Sequence, residues 1–189
     1  LIDEGAKISK TGPNLKSPTK SAKVLKKAGF DLVTLANNHI MDYGENGLLS
    51  TLKVCEDNDI KTVGAGATLG QASDTMYFGL GSIRLAIINI AENEFGTTNG
   101  GSPGAHSLNV VQNYYTLKEA KKNADKIIVI IHGGPEFYPL PSPRMQDTYR
   151  YFVDTGADAV VGHHPHCFSG SEIYKGAPII YSLGNFLFD

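Results

Sequence analysis

Histidine sets the chemical question in this chain. His39, His132, His164 and His166 lie just past short apolar runs, and three separate runs end this way: at Asn38-His39, at His132 and at His164-Pro165-His166. Imidazole binds Zn, Fe, Mn and Ni in differing degrees, and open α/β sheets gather their ligands at strand carboxyl ends. Four histidines on three strand ends therefore predict one shared metal site. An H-x-H pair on extended backbone can aim both rings at one ion, and Pro165 stiffens the turn between them. His163 is the weak member of its cluster, because an extended segment points it away from His164 and His166. His106 reads as a satisfied loop residue.

Convergence requires that the runs ahead of these histidines be strands. Residues up to Lys16 are polar, rich in Gly, Pro and Ser, and read as loop. Ser17-Pro18 predicts a helix start, Val24, Leu25 and Ala28 its apolar stripe, and Gly29 its end. The run 30–36 is short enough for a buried strand. Residues 44–59 repeat Leu48, Leu52 and Cys55 at helical spacing before a short strand around Thr62 and Val63, making a strand, helix, strand unit. The runs 77–80 and 83–90 flank Gly81-Ser82 as a hairpin. The stretch 92–107 reads as a long surface loop, and 110–124 as a helix.

A second buried strand covers 126–131 and stops at His132, before Gly133-Gly134-Pro135. A helix is expected from Ser142-Pro143 to Gly156, a strand at 158–161, and a closing hairpin in which Ile173-Tyr174 and 179–183 flank Lys175-Gly176. The runs 30–36, 126–131 and 158–161 are expected to be neighbours in one sheet, with Leu32, Val33, Ile128, Ile130 and Val160 in the core.

Composition narrows the function classes. At 189 residues, with 41% hydrophobic and 19% charged positions, the chain has the size and make-up of one folded domain. A net charge of -2 without a basic run gives no footprint for nucleic acid, so no such partner is expected. The longest apolar run, 127–131, is far shorter than the roughly 20 residues a membrane helix needs. Cys55 and Cys167 form no C-x-x-C pair and leave the redox compartment open. The sequence begins without Met and ends just after an apolar run, which reads as a piece of a longer protein.

Four segments carry a resemblance: LANNHIMDYG at 35–44, HGGPEF at 132–137, GADAVVGHHPH at 156–166 and YSLGNFLFD at 181–189. In this order they resemble the signatures of the CapA family of bacterial capsule and poly-gamma-glutamate synthesis proteins, similar in fold to the calcineurin-like phosphoesterases. The resemblance implies an α/β fold, a layered sandwich of mixed β-sheets flanked by helices. It makes residues 1–189 a single domain, incomplete at the N-terminus and at the C-terminus. It also implies divalent metal ions, with Mn, Zn or Fe as candidates.

Carried over by residue, Asn38 matches a metal ligand, and His39 the histidine that stands beside a substrate phosphate as proton donor. His132 matches the lone metal histidine, and His164 and His166 the H-x-H ligands. Glu136 is assigned to the substrate. Asp42 either orients His39 or serves as a turn residue ahead of Gly44. Gly133 stands where the family usually has Trp, and Phe137 where Tyr is frequent. The family's amino-terminal Asp segment and its following N-L-E segment are absent from this sequence, so a ligand set short of carboxylates and a fold short of N-terminal strands are expected.

The implied activity is hydrolysis of a phosphoester or of a polyglutamate amide. The other reading is a non-catalytic subunit that binds or assembles the polymer. The implied location is the bacterial cell envelope, extracytoplasmic and membrane-associated through a segment outside this sequence, with membrane-bound synthesis partners.

Overall fold

The computed structural model describes residues 1–92, 95–98 and 100–187. The readings of 92–107 and 181–189 therefore fall in part, at Asn93, Glu94, Asn99, Phe188 and Asp189, outside the described residues. The chain divides into two compact units: Leu1–Asp74 with Asn93–Ser107, and Thr75–Glu92 with Leu108–Asp189.

In the first unit, helix α1 (Ser21–Lys27) leads to strand β1 (Leu32–Thr34), helix α2 (Gly44–Asp57) and strand β2 (Lys61–Val63). β1 and β2 pair in parallel with Leu32 opposite Lys61, the arrangement a helical crossover produces. Leu48 and Cys55 of α2 are buried at the expected helical spacing. Helix α1 starts later than Ser17-Pro18 suggests. Thr19 is drawn onto Asp3, its N–H on Oδ1 at 2.9 Å and its hydroxyl on Oδ2 at 2.6 Å, and residues 18–20 form a turn ahead of the helix. The expected stripe shifts as well, since Ala22 is buried while Val24 is exposed.

The 92–107 stretch is not wholly a surface excursion. Strand β3 (Ala65–Gly66), followed by the short helix α3 (Leu69–Ala72), pairs antiparallel with a later strand of this stretch, Gly104–Ala105. Thr98, Ala105 and His106 are buried. Glycine permits this approach, because a Cβ on Gly104 would stand 2.6 Å from the Gly96 carbonyl oxygen.

The second unit is built on one mixed sheet. Strands β4 (Met76–Leu80) and β5 (Ile83–Ala91) form the expected hairpin; the first unit's Gly104–Ala105, next in chain order, is β6. Helix α4 (Val110–Asn123) precedes β7 (Lys126–His132), and helix α5 (Pro143–Thr155) precedes β8 (Ala159–His163). Strands β9 (Ser171–Tyr174) and β10 (Ala177–Ile180) are the closing hairpin. The order is β4-β5-β7-β8-β10-β9, with β5, β7, β8 and β10 parallel and an antiparallel strand at each edge.

The caps of α5 follow the residue chemistry. The Ser142 hydroxyl accepts the Met145 N–H at 3.2 Å, Pro143 sits in the first turn, and Gly156 takes φ 128° at the end. The main core lies where Ile127, Val129, Ile131 and Val160 meet Leu117, Met145 and Phe152 of the two helices.

Two expectations about the core are corrected. The run 30–36 is not a neighbour of β7 and β8 but pairs with β2 in the first unit. A strand's hydrophobicity identifies it as buried without naming its ladder partner. In β7 the fully buried parity is 127, 129 and 131, leaving Ile128 and Ile130 half-buried, as are Leu32 and Val33 in β1. A run of consecutive apolar residues conceals which parity the helices will cover. Val160 is buried as expected.

Ile127→Ala is expected to lower stability by about 2–5 kcal/mol in urea denaturation, and Ile128→Ala by distinctly less. Equal losses would contradict the assignment of the two faces.

Candidate functional site

Strand β7 runs through His132, whose carbonyl accepts the Glu92 N–H at 2.9 Å. Strand β8 ends at His163, one position short of the H-x-H pair. From there the backbone does not stay extended as expected: His164 and His166 take φ 98° and 60°. Left-handed backbone at residues other than glycine is strained by about 1–3 kcal/mol and persists only where the surroundings enforce it. The enforcement is visible in the neighbouring loop. Phe137, itself at φ 56°, donates its N–H to the Pro165 carbonyl at 2.8 Å and stacks on the His166 ring at 5.3 Å between centroids.

These turns bring the second unit's expected site residues together. His164 Nδ1 lies 3.1 Å from His132 Nε2, and its Nε2 lies 3.8 Å from Glu136 Oε1. The His164 and His166 rings are 6.0 Å apart. Glu136, His164 and His166 each offer a donor atom, all within 4.8 Å of one another, a group that could hold a metal ion. Glu136, expected at the substrate, thus stands inside the donor group, and His132 adjoins it through His164.

The second nitrogens of both group histidines are engaged. His166 Nδ1 lies 2.9 Å from Asn185 Oδ1. An amide oxygen only accepts, so Nδ1 carries the proton and Nε2 is left with its lone pair. Asn185 was not singled out from sequence, although it lies inside the YSLGNFLFD segment. His163 stands apart from the group, and burial pushes its imidazole below the ordinary histidine pKa.

The first unit holds the other expected residues. Asn37 Oδ1 accepts the His39 N–H at 2.9 Å and its amide donates to the Leu35 carbonyl at 3.2 Å, which folds the chain tightly after β1. His39 Nδ1 lies 2.7 Å from Asp42 Oδ2, so Asp42 does contact and orient the ring. The same oxygen accepts the Leu15 N–H at 2.6 Å. The Lys10 ammonium lies against Asp42 Oδ1, and also 3.1 Å from His39 Nδ1 and 3.4 Å from the Asn38 carbonyl oxygen.

The Lys10 and Asp42 side chains are only 2% and 1% exposed. Burial raises the Asp42 pKa, but Lys10, the Leu15 N–H and His39 together outweigh it and hold the carboxyl below its usual range. Lys10 carries no sequence signal, because it sits in a polar stretch without periodicity. His39 also lines a cavity of about 320 Å³ walled by Leu15, Val33, Leu35 and Ile40. His106 is buried with its N–H on the Gly64 carbonyl at 2.8 Å.

The chain is similar to known proteins of one family and to solved structures of one fold. The family described as bacterial capsule synthesis protein PGA_cap matches residues 1–189. The chain is 34% identical to the capsule biosynthesis protein CapA of Bacillus anthracis over 197 residues, covering 100% of this chain and 48% of that protein. It is 36% identical to the PGA biosynthesis protein CapA of Bacillus subtilis over 180 residues, covering 93% of this chain and 47% of that one. The chain thus spans about half the length of these relatives. A proposed 5'-nucleotidase from Staphylococcus aureus, solved with alpha-ketoglutarate, shares the fold with a TM-score of 0.63 at 21% identity, over 86% of this chain and 34% of that one. The fold shared with that structure is α/β.

Asp42→Asn leaves Lys10 as an uncompensated buried charge and is expected to cost about 3–5 kcal/mol at pH 7 in urea denaturation. Because the folded Asp42 pKa is lowered, its stabilisation is complete above the unfolded value of about 3.9 and fades as pH falls through the folded value. The gap between wild type and variant should therefore close below about pH 4. A gap that persists undiminished into acid would contradict this.

Proposed function

This chain belongs to the bacterial capsule synthesis protein (PGA_cap) family, and from that membership we propose that it forms part of a capsule or poly-gamma-glutamate biosynthesis protein with a metal-dependent hydrolase site. The observation that carries the reading is the donor group of Glu136, His164 and His166 just beyond the carboxyl ends of β7 and β8. Two imidazoles and a carboxylate fit Mn, Zn or Fe. The contacts of His166 with Asn185 and of His164 with His132 are the kind that fix ligand tautomers.

In this reading His164, His166 and Glu136 hold a divalent cation, with His132 beside them; Asn38 is proposed as a metal ligand on the family resemblance alone. Such a cation supplies Lewis-acid polarisation and charge neutralisation at the reacting centre. His39, with Nδ1 on Asp42, presents Nε2 as the proton donor to the leaving group. The bond cleaved is a phosphoester or, as the second choice, an amide of polyglutamate. Those substrates and membrane-bound synthesis proteins are the proposed partners. The capsule role of the relatives supports a place in the cell envelope. No helix among the described residues is long and apolar enough to cross a membrane; a membrane tether is proposed on the family resemblance alone.

With added Mn or Zn, the full-length protein is expected to hydrolyse a generic phosphoester. His39→Ala should keep its metal and lose roughly a hundredfold or more in rate, whereas His164→Ala should lose metal, both measured on the same preparations. Tight polyglutamate binding without turnover, indifferent to His39, would replace the hydrolase with a polymer-binding subunit.

A further inference from the structure

Glu92 follows β5 directly and was read from sequence only as the start of a loop. Its side chain turns over the two residues that follow His132. Oε2 accepts the Gly134 N–H at 2.8 Å, and Oε1 accepts Arg144, from the first turn of α5, at 2.8 Å. The Glu92 side chain is 14% exposed and Arg144 67%, so solvent screens the ion pair and its main effect is placement.

Gly133 makes this placement possible. A Cβ there would stand 2.3 Å from Glu92 Cγ and 2.7 Å from Oε2. The next residue is confined in the same way, because a Cβ on Gly134 would meet Met145 Sδ at 2.7 Å. The space beside residue 133, where the family resemblance leads one to expect Trp, is taken by a carboxylate. With the Glu92 N–H on the His132 carbonyl at 2.9 Å, Glu92 grips the backbone of residues 132–134 from both ends.

We infer that Glu92 is a positioning residue for His132, holding the turn after β7 so that the imidazole Nε2 stays against His164 Nδ1. The inference deepens the proposed site and rests on it for its importance, since the place of His132 matters most if the adjoining group holds a cation. The interlock with Gly133 is a feature of the chain itself.

The test uses the full-length protein with ¹⁵N-labelled histidine, the His132 resonances being assigned by their loss in His132→Asn. Without metal, Glu92→Ala should move the His132 imidazole resonances, while Glu92→Gln, which keeps an oxygen for the Gly134 N–H, should leave them near wild type. In Mn²⁺ titrations Glu92→Ala should weaken binding roughly ten- to a hundredfold, the usual scale for a group that orients a ligand, with Glu92→Gln close to wild type. Should Glu92→Ala not fold, Gly133→Ala applies the same displacement from the other side and should move the same resonances. Unmoved His132 resonances in these variants, or a Glu92→Gln as defective as Glu92→Ala, would overturn the inference. A wild type that binds no Mn²⁺ removes the metal reading, and the resonances then decide the positioning role alone.

Discussion

The parallel ladder that joins β5, β7 and β8 governs the second unit. Ala91 is in register with His132, and His132 with His163, so the ends of three strands and the loops they release begin at one level. A slip of one residue would turn Ile127, Val129 and Ile131 away from the helices and expose them. Core burial therefore fixes the register, and the register fixes where each loop starts. Precision at the histidines is inherited from the packing of residues that touch none of the chemistry.

Beyond the strand ends, order depends on turns that are costly by themselves. Among the described residues, five besides glycine have left-handed backbone, and three of them, Phe137, His164 and His166, lie in the two loops that form the donor group. Each is tied down locally, Phe137 by its bond to Pro165, His164 by its contact with His132, and His166 by stacking on Phe137 and by Asn185. Strain concentrated where donor atoms gather is consistent with preorganisation, because a donor group formed in advance needs little rearrangement to bind.

The first unit solves a different problem, the burial of charge. Asp42 is ringed by Lys10, His39 and the Leu15 N–H, and its carbonyl also receives the Ile8 N–H at 3.0 Å and the Asn14 amide at 3.1 Å. Residues 8–15, polar and without a pattern of their own, are thus fastened along a single aspartate. That arrangement satisfies a buried carboxylate and orients the His39 ring together, leaving Nε2 as the nitrogen available for proton exchange.

Much of this was written in local sequence. Helices α2, α4 and α5, the two hairpins and the strands β7 and β8 follow from apolar spacing, caps and glycine stops, because those signals act between residues close in the chain. The candidate residues His39, His132, His164 and His166 were legible for a related reason: reactive side chains at the ends of apolar runs stand out against their neighbours. Asp42 and Glu136 were pointed to only by the family resemblance. Tertiary structure alone decided that β1 pairs with β2, that odd-numbered residues of β7 face the helices, and that His164 and His166 leave the extended conformation. It alone brought Lys10 to Asp42, Asn185 to His166 and Glu92 into the space beside Gly133. Such pairings depend on which distant surfaces meet when the core closes, and no local periodicity encodes the partner of a lysine thirty-two residues away from its aspartate.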